Sequence, residues 1–232
     1  MDAIIGTLQA IGIFIVGLLA RVGLVLAVIA VLLAPVMLVM AAMRGWEALR
    51  LRLLGLKTAG GFLWRKGIYY APGHTWLKPE GARLKVGIDD LAQRLLPWAV
   101  SVDLPKPGTE VKEGEPVASI SCGEQVVRIA APVDGRIVAV NVSVARDPSL
   151  VKRDSYARGW LFAVTPKDER HLALPIDEVA RRWLASEGAR LSRFFEQQFG
   201  IAAADGGEWM APPPSMLGPE QWKALTRAFL RV

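Results

Sequence analysis

Few residues in this chain have the type and spacing to do chemistry. Its one cysteine, Cys122, lies in the run Ser121-Cys122-Gly123-Glu124. A cysteine reacts as its thiolate, and a carboxylate two residues away disfavours that form, so Cys122 reads as an inert small residue. One cysteine also excludes an internal disulfide framework and fits a reducing compartment. His74 and His171 are the only histidines. They stand far apart with no cysteine cluster, which gives no zinc pattern. The Asp89-Asp90 pair precedes Leu91-Ala92-Gln93-Arg94-Leu95-Leu96 and reads as a helix cap, with an acid/base dyad as the alternative. No glycine-rich phosphate loop and no G-x-S-x-G element occurs. The expectation is that catalytic, cofactor-binding and metal-binding sets are all absent and that the chain is not an enzyme.

The elements around these residues begin with an apolar segment. Of 232 residues, 52% are hydrophobic and the mean hydropathy is +0.31. The excess is concentrated in residues 1–43. Residues 3–20 and 22–43 contain no charge, and only Arg21 separates them. About 20 apolar residues in a helix cross a bilayer core, so residues 22–43 form one expected span. Arg21 is then an interfacial residue. As a single helix, residues 3–43 would reach about 60 Å, twice the core thickness. One spanning helix is preferred over a hairpin folded back near Arg21, because no Pro, Asn or Asp marks a turn there. A cleaved signal peptide is not expected, since Met1-Asp2 lacks the basic n-region.

Residues 44–66 carry Arg44, Arg50, Arg52, Lys57, Arg65 and Lys66 against Glu47 alone. This collar accounts for most of the net charge of +6. Basic residues just after a span stay on the cytoplasmic side, and anionic lipid headgroups are their simplest partner. Trp46 suits the same interface. The expected membrane-surface set is therefore Arg44, Trp46, Arg50, Arg52, Lys57, Arg65 and Lys66. The localisation that follows is the inner (cytoplasmic) membrane with the globular part facing the cytoplasm. The rest of the chain is near neutral, so nucleic acid is not an expected partner. Residues 44–58 read either as an interfacial helix or as a continuation of the spanning helix. Thr58-Ala59-Gly60-Gly61 reads as a hinge.

From about residue 67 to 166 the texture changes to short alternating runs broken by Gly, Pro and Asp. Examples are Arg83–Ile88, Val100–Leu104, Val117–Ile120 and Arg136–Val140. Such spacing suggests an all-β sandwich or barrel. Residues 167–232 turn helical and carry nine charges of each sign. One helix opens at Pro175-Ile176-Asp177-Glu178 and lines up Ile176, Val179, Ala180, Trp183, Leu184, Leu191, Phe194 and Phe195. A last helix starts at Pro219-Glu220 with Trp222, Leu225, Phe229 and Val232 on one side. Between them lies a Gly/Ala/Pro loop containing Pro212-Pro213-Pro214.

The central segment is the most specific. Its pieces, in order, are Tyr70-Ala71-Pro72-Gly73-His74-Thr75-Trp76, Val86-Gly87-Ile88-Asp89-Asp90-Leu91-Ala92-Gln93, Val102-Asp103-Leu104-Pro105, Gly108-Thr109-Glu110-Val111 and Gly114-Glu115-Pro116-Val117-Ala118. Ala131-Pro132-Val133-Asp134-Gly135, Asp147-Pro148-Ser149-Leu150-Val151 and Gly159-Trp160-Leu161-Phe162 complete the series. From Tyr69 to Pro166 this segment resembles the glycine cleavage system H protein, nearly without gaps. The resemblance implies a mainly β barrel-sandwich hybrid of the lipoyl-domain kind, here with an N-terminal transmembrane helix and C-terminal amphipathic helices. In that family a lysine at a hairpin tip carries lipoate, in the pattern ESVKAA. Here the lysine position falls on Glu124, and Ser121 replaces the acidic residue three before it. No lysine occurs from Glu113 to Val151. Lipoylation forms an amide on a primary amine, which a carboxylate cannot supply.

The expected function is a non-catalytic, membrane-anchored accessory or scaffold subunit of a larger membrane complex, respiratory or electron-transfer among the options. It would use a lipoyl-less H-protein-like domain for protein contacts with other subunits. The alternative is a regulator or docking protein of glycine cleavage or lipoate-metabolising enzymes.

Overall fold

The computed structural model describes residues 2–123, 125–199 and 217–230. It divides into two compact units, Met1–Leu53 and Leu54–Val232. The first is one helix, α1 (Asp2–Leu53), of 52 residues and so about 78 Å long. It does not fold back near Arg21. Residues 44–53 continue it, which favours the continuation reading over a separate interfacial helix. The stretch Phe14–Leu53 is long and apolar enough to cross a membrane by length and composition. Its large hydrophobic residues from Phe14 to Met43, where described, are exposed.

The second unit starts with a β-hairpin, which corrects the expected hinge. β1 (Leu56–Ala59) and β2 (Phe62–Arg65) pair antiparallel, Leu56 opposite Arg65 and Ala59 opposite Phe62. Gly60 turns the chain at φ 56, and a Cβ there would meet the Ala185 Cα at 2.7 Å. Glycine is required at that contact for both reasons. Phe62 and Trp64 are buried, so the hairpin is packed in place.

The remaining nine strands form the two sheets of the expected β domain, and all described pairings are antiparallel. β3 (Tyr69–Ala71), β4 (Thr75–Glu80), β5 (Arg83–Ile88), β7 (Glu110–Val111), β10 (Gly135–Val140) and β11 (Phe162–Pro166) make a six-stranded sheet in the order β3-β4-β5-β11-β10-β7. β6 (Ser101–Asp103), β8 (Pro116–Cys122) and β9 (Gln125–Ala130) make a three-stranded sheet in the order β6-β8-β9. The alternation read from the sequence is the period-2 rule at work: Val102, Ile120 and Val127 share one register row and are all buried. With Leu77, Val86, Ile88, Ile129, Ile137, Phe162 and Val164 they form the core.

Helix α2 (Asp90–Leu95) closes the core with Leu91 and Leu95, and α3 (Val142–Arg146) and α4 (Leu150–Arg153) follow β10. α5 (Asp177–Phe199) and α6 (Pro219–Phe229) do not form a detached extension. Leu191, Phe195, Trp222, Leu225 and Phe229 belong to the same hydrophobic cluster as the β strands. Val179, expected on the apolar face of α5, is 51% exposed instead. The Pro212-Pro213-Pro214 loop and Val232 lie outside the described residues.

Candidate functional site

Two regions could bear function: the β8–β9 hairpin and a buried ionic cluster around His74. The hairpin brings Cys122 opposite Gln125 and Ser121 opposite Val126. A two-residue hairpin connection needs left-handed backbone, and Gly123 supplies it at φ 69. Glu124, the residue at the expected carrier position, lies outside the described residues. Ser121 also pairs with Ser101 of β6, and Val126 is 57% exposed.

Cys122 is buried beneath this tip, with its Sγ 3.9 Å from the Pro97 carbonyl. Burial raises its thiol above the usual range, partly offset by the positive charge of Lys152. The sequence reading named Glu124 as the cause of low reactivity; in the fold the cause is desolvation. Lys152 itself donates to the Leu96 carbonyl and lies over the Trp98 ring, 5.6 Å from its centre. Burial lowers its pKa. The pair is therefore held in its neutral forms more than free side chains are, which suits packing and not nucleophilic attack.

The second region was missed by the sequence reading. His74 sits in the β3–β4 turn at φ 60 and is 1% exposed. Its Nδ1 donates to Asp89 Oδ2 at 2.9 Å, and its Nε2 lies 3.5 Å from Glu187 Oε2. Ionised carboxylates only accept, so two of them facing both ring nitrogens require the imidazolium form. Burial opposes that charge, but Asp89 and Glu187 outweigh it and push the His74 pKa up to about 9. The hydrogen bond from His74 correspondingly lowers Glu187. Asp89 also accepts from the Ala92 N–H at 2.9 Å as the N-cap of α2. The cap reading of Asp89 thus holds, and the same carboxylate serves the histidine.

Asp90 points elsewhere. It accepts from the Leu63 N–H at 2.8 Å and pairs with Arg94 at 2.9 Å, pinning β2 to α2. Burial raises its pKa against those partners. The two aspartates therefore engage different groups and do not share a proton. Around the histidine, Trp183 stacks on the ring at 5.2 Å, and Arg190 bridges Glu187 (2.6 Å) and the face of Phe229 (4.4 Å). These groups, with Pro72, Gly73 and Ala228, line a small cavity of about 130 Å³. One signal for it was in the sequence. Glu187 falls in phase with Leu184 and Leu191 on the apolar stripe of α5, where a carboxylate needs a buried partner.

The expected membrane-surface residues divide between the two units. Arg44, Trp46, Arg50 and Arg52 lie on α1, the Arg50 side chain being outside the described residues. Lys57 lies on β1, Arg65 ends β2, and Lys66 follows it. The 44–66 collar is therefore not one element. Arg65 is also partly engaged, donating to the Tyr156 carbonyl at 3.3 Å. His171 lies in a short 3-10 turn, Arg170–Ala173, against Tyr69, and among the described residues no group of three or more potential ligands could hold a metal ion.

Comparison with known proteins gives a consistent picture. A family model described as glycine cleavage H-protein matches residues 68–183. The glycine cleavage system H protein of Bartonella quintana is 37% identical over 117 residues, covering 50% of this chain and 96% of that protein. The corresponding protein of Thermus thermophilus is 42% identical over 103 residues, covering 44% of this chain and 80% of that one. A crystal structure of a glycine cleavage system H protein from Mycobacterium marinum, 28% identical, covers 54% of this chain and 99% of its own, with a TM-score of 0.46. With half of the chain matched by the family model and the Bartonella protein covered almost end to end, the chain belongs to the glycine cleavage H-protein family.

Proposed function

We propose that this chain is a membrane-tethered member of the H-protein family that works by binding, not by carrying a lipoyl arm. The observation that carries this reading is chemical. The segment from Glu113 to Val151, which includes the whole β8–β9 hairpin, contains no lysine. Without a primary amine there is no amide-linked lipoate, hence no covalent lipoyl shuttle on this domain. Tethering is supported by α1, whose described residues are apolar and exposed from Val22 to Met43. Hydrocarbon is the solvent that such a surface matches. The basic residues that follow orient the globular unit toward the cytoplasm, with anionic lipid headgroups as neighbours.

The partner class favoured is the set of proteins that recognise an H-protein surface, namely glycine cleavage or lipoate-handling enzymes, which this domain would dock or compete for. A scaffold role in a larger membrane complex is the second reading, favoured by the exposed apolar length of α1. The apolar faces of α5 and α6 add nothing to it, since they are buried on their own domain.

The test is intact mass spectrometry of the full chain purified from native membranes, with every co-purifying chain identified. An unmodified mass and recovery of glycine cleavage or lipoate-handling enzymes are expected. A lipoyl-sized adduct within residues 113–151 would overturn the non-carrier reading. Stoichiometric membrane oxidoreductase subunits in place of those enzymes would transfer the role to the scaffold. In parallel, Glu124→Lys with Ser121→Glu is expected to gain a lipoyl adduct when co-expressed with a lipoate ligase.

A further inference from the structure

We infer that the open end of the β1–β2 hairpin and the first turns of α5 together form a surface that lies on an anionic lipid bilayer. This rests on the proposed tethering by α1 and deepens it, by stating which face of the globular unit meets the membrane. The hairpin is the point at which the chain enters the second unit: α1 ends at Leu53 and β1 begins at Leu56. If the span ends at Met43, the helix rises about 15 Å beyond the hydrocarbon before that point. Headgroups fill about 5–8 Å of this distance, and a tilted helix shortens it further. The hairpin's open end is thus tethered within about one Debye length of the lipid charges.

The local geometry collects cations at that end. Leu56 pairs with Arg65, so Lys66 follows directly beside the chain entrance. The next residue, Gly67, donates its N–H to Asp177 Oδ1 at 2.9 Å, which fixes the segment against the start of α5. The first turns of α5 then present Val179, Arg181 and Arg182 to solvent. Arg181 pairs with Glu178. Lys57, Lys66 and Arg182 have no carboxylate within ion-pair distance among the described residues. Lys66 and Arg182 both act on the Glu178 carboxylate from farther away, consistent with their shared corner.

The charge is concentrated there. Residues 54–232 carry 24 Lys and Arg against 20 Asp and Glu. This corner holds five cations (57, 65, 66, 181, 182) against two acids (177, 178), leaving the rest of the unit nearly neutral. An exposed Val179 among arginines is the pattern of an interfacial element: an apolar tip for the headgroup boundary with cations for the lipid phosphates. Each basic residue near an anionic membrane strengthens association about fivefold.

The full chain carrying Val179→Cys and Cys122→Ala, labelled with a fluorophore at position 179, is reconstituted into phosphatidylcholine vesicles or into vesicles containing about one-third phosphatidylglycerol. Acrylamide, a neutral quencher, reports exposure of the label. Quenching is expected to fall at least threefold in the anionic vesicles. Adding Lys66→Glu and Arg182→Glu, or raising the salt to screen the charges, is expected to restore it. Equal quenching in both lipids would overturn the inference, and that comparison needs neither charge reversal. Alkaline carbonate extraction separates the two claims. If the chain leaves the vesicles, the tethering itself is wrong; if it stays and the label remains equally quenched, only this surface is wrong.

Discussion

At the β8–β9 tip, Gly123 turns the chain at φ 69 and Val126 faces solvent, whereas His74 in the β3–β4 turn is enclosed by Asp89, Glu187 and Trp183. Both are hairpin turns of one domain. The first is held by backbone pairing, so the side chains at its tip are open to change without loss of the fold. The second ties a turn to α2 through Asp89 and to α5 through Glu187, so its side chains are part of the packing. The difference means that side chains at the β8–β9 tip can vary with less effect on the domain than those around His74. A terminal amine at a tip contributes reactivity and almost no stability, but a buried charge left without its partner costs several kcal/mol.

The largest effect should come from breaking the buried cluster. Asp89→Ala removes the His74 partner and the α2 N-cap together, and is expected to cost about 4 kcal/mol, lowering Tm by about 10 °C. Thermal unfolding of the full chain in detergent, followed by tryptophan fluorescence, would check it. A loss below 1 kcal/mol would show that the cluster is not structural.

The pH dependence comes next. His74 is raised from 6.5 to about 9 on folding. Its contribution is therefore complete below about pH 6.5 and is lost as pH rises toward 9. The expected decline is on the order of 3 kcal/mol, read from urea midpoints between pH 7 and 9.5. A His74→Gln variant should flatten that limb. Glu187 acts at the other end: its lowered pKa gives stability that is present above the usual glutamate range and lost on acidification.

Glu187→Gln should cost less, about 1–2 kcal/mol, because its edge of the cluster is partly open and Arg190 keeps a second partner in the Ala228 carbonyl. The smallest effect belongs to the tip. Val126→Thr keeps the β-branch at an exposed position and is expected to stay within about 0.5 kcal/mol of the parent in the same melts. A tip substitution as damaging as Asp89→Ala would erase the contrast between the two turns.

Much of the fold was readable in the residues. β5 matches the run Arg83–Ile88 residue for residue, and α2 lies within the expected Asp89–Leu96 segment, because period-2 alternation and an aspartate cap are local signals. The β1–β2 hairpin was not readable. Phe62-Leu63-Trp64-Arg65 is short, and its burial depends on α5 arriving against it, with Gly60 and Gly188 small enough to allow the approach. Val179 shows the same limit from the other side: its neighbour Ala180 is fully buried, and one residue's rotation about α5 turns Val179 to solvent.

The sequence by itself determined what depends on composition and on neighbours along the chain. Among these are the apolar run from Val22 to Met43, long enough to span a bilayer, the alternation of the strands, and the absence of lysine from Glu113 to Val151. Only the tertiary structure decided which distant groups meet. His74 joins Asp89 and Glu187, the C-terminal helices cover their own domain, and Lys66 lies beside the start of α5. The physical reason is that covalent capacity is fixed by which side chains are present and local structure by nearest neighbours. Burial, charge pairing and the shifts they impose depend on what packs against what, and in this domain that is set by elements far apart in the chain.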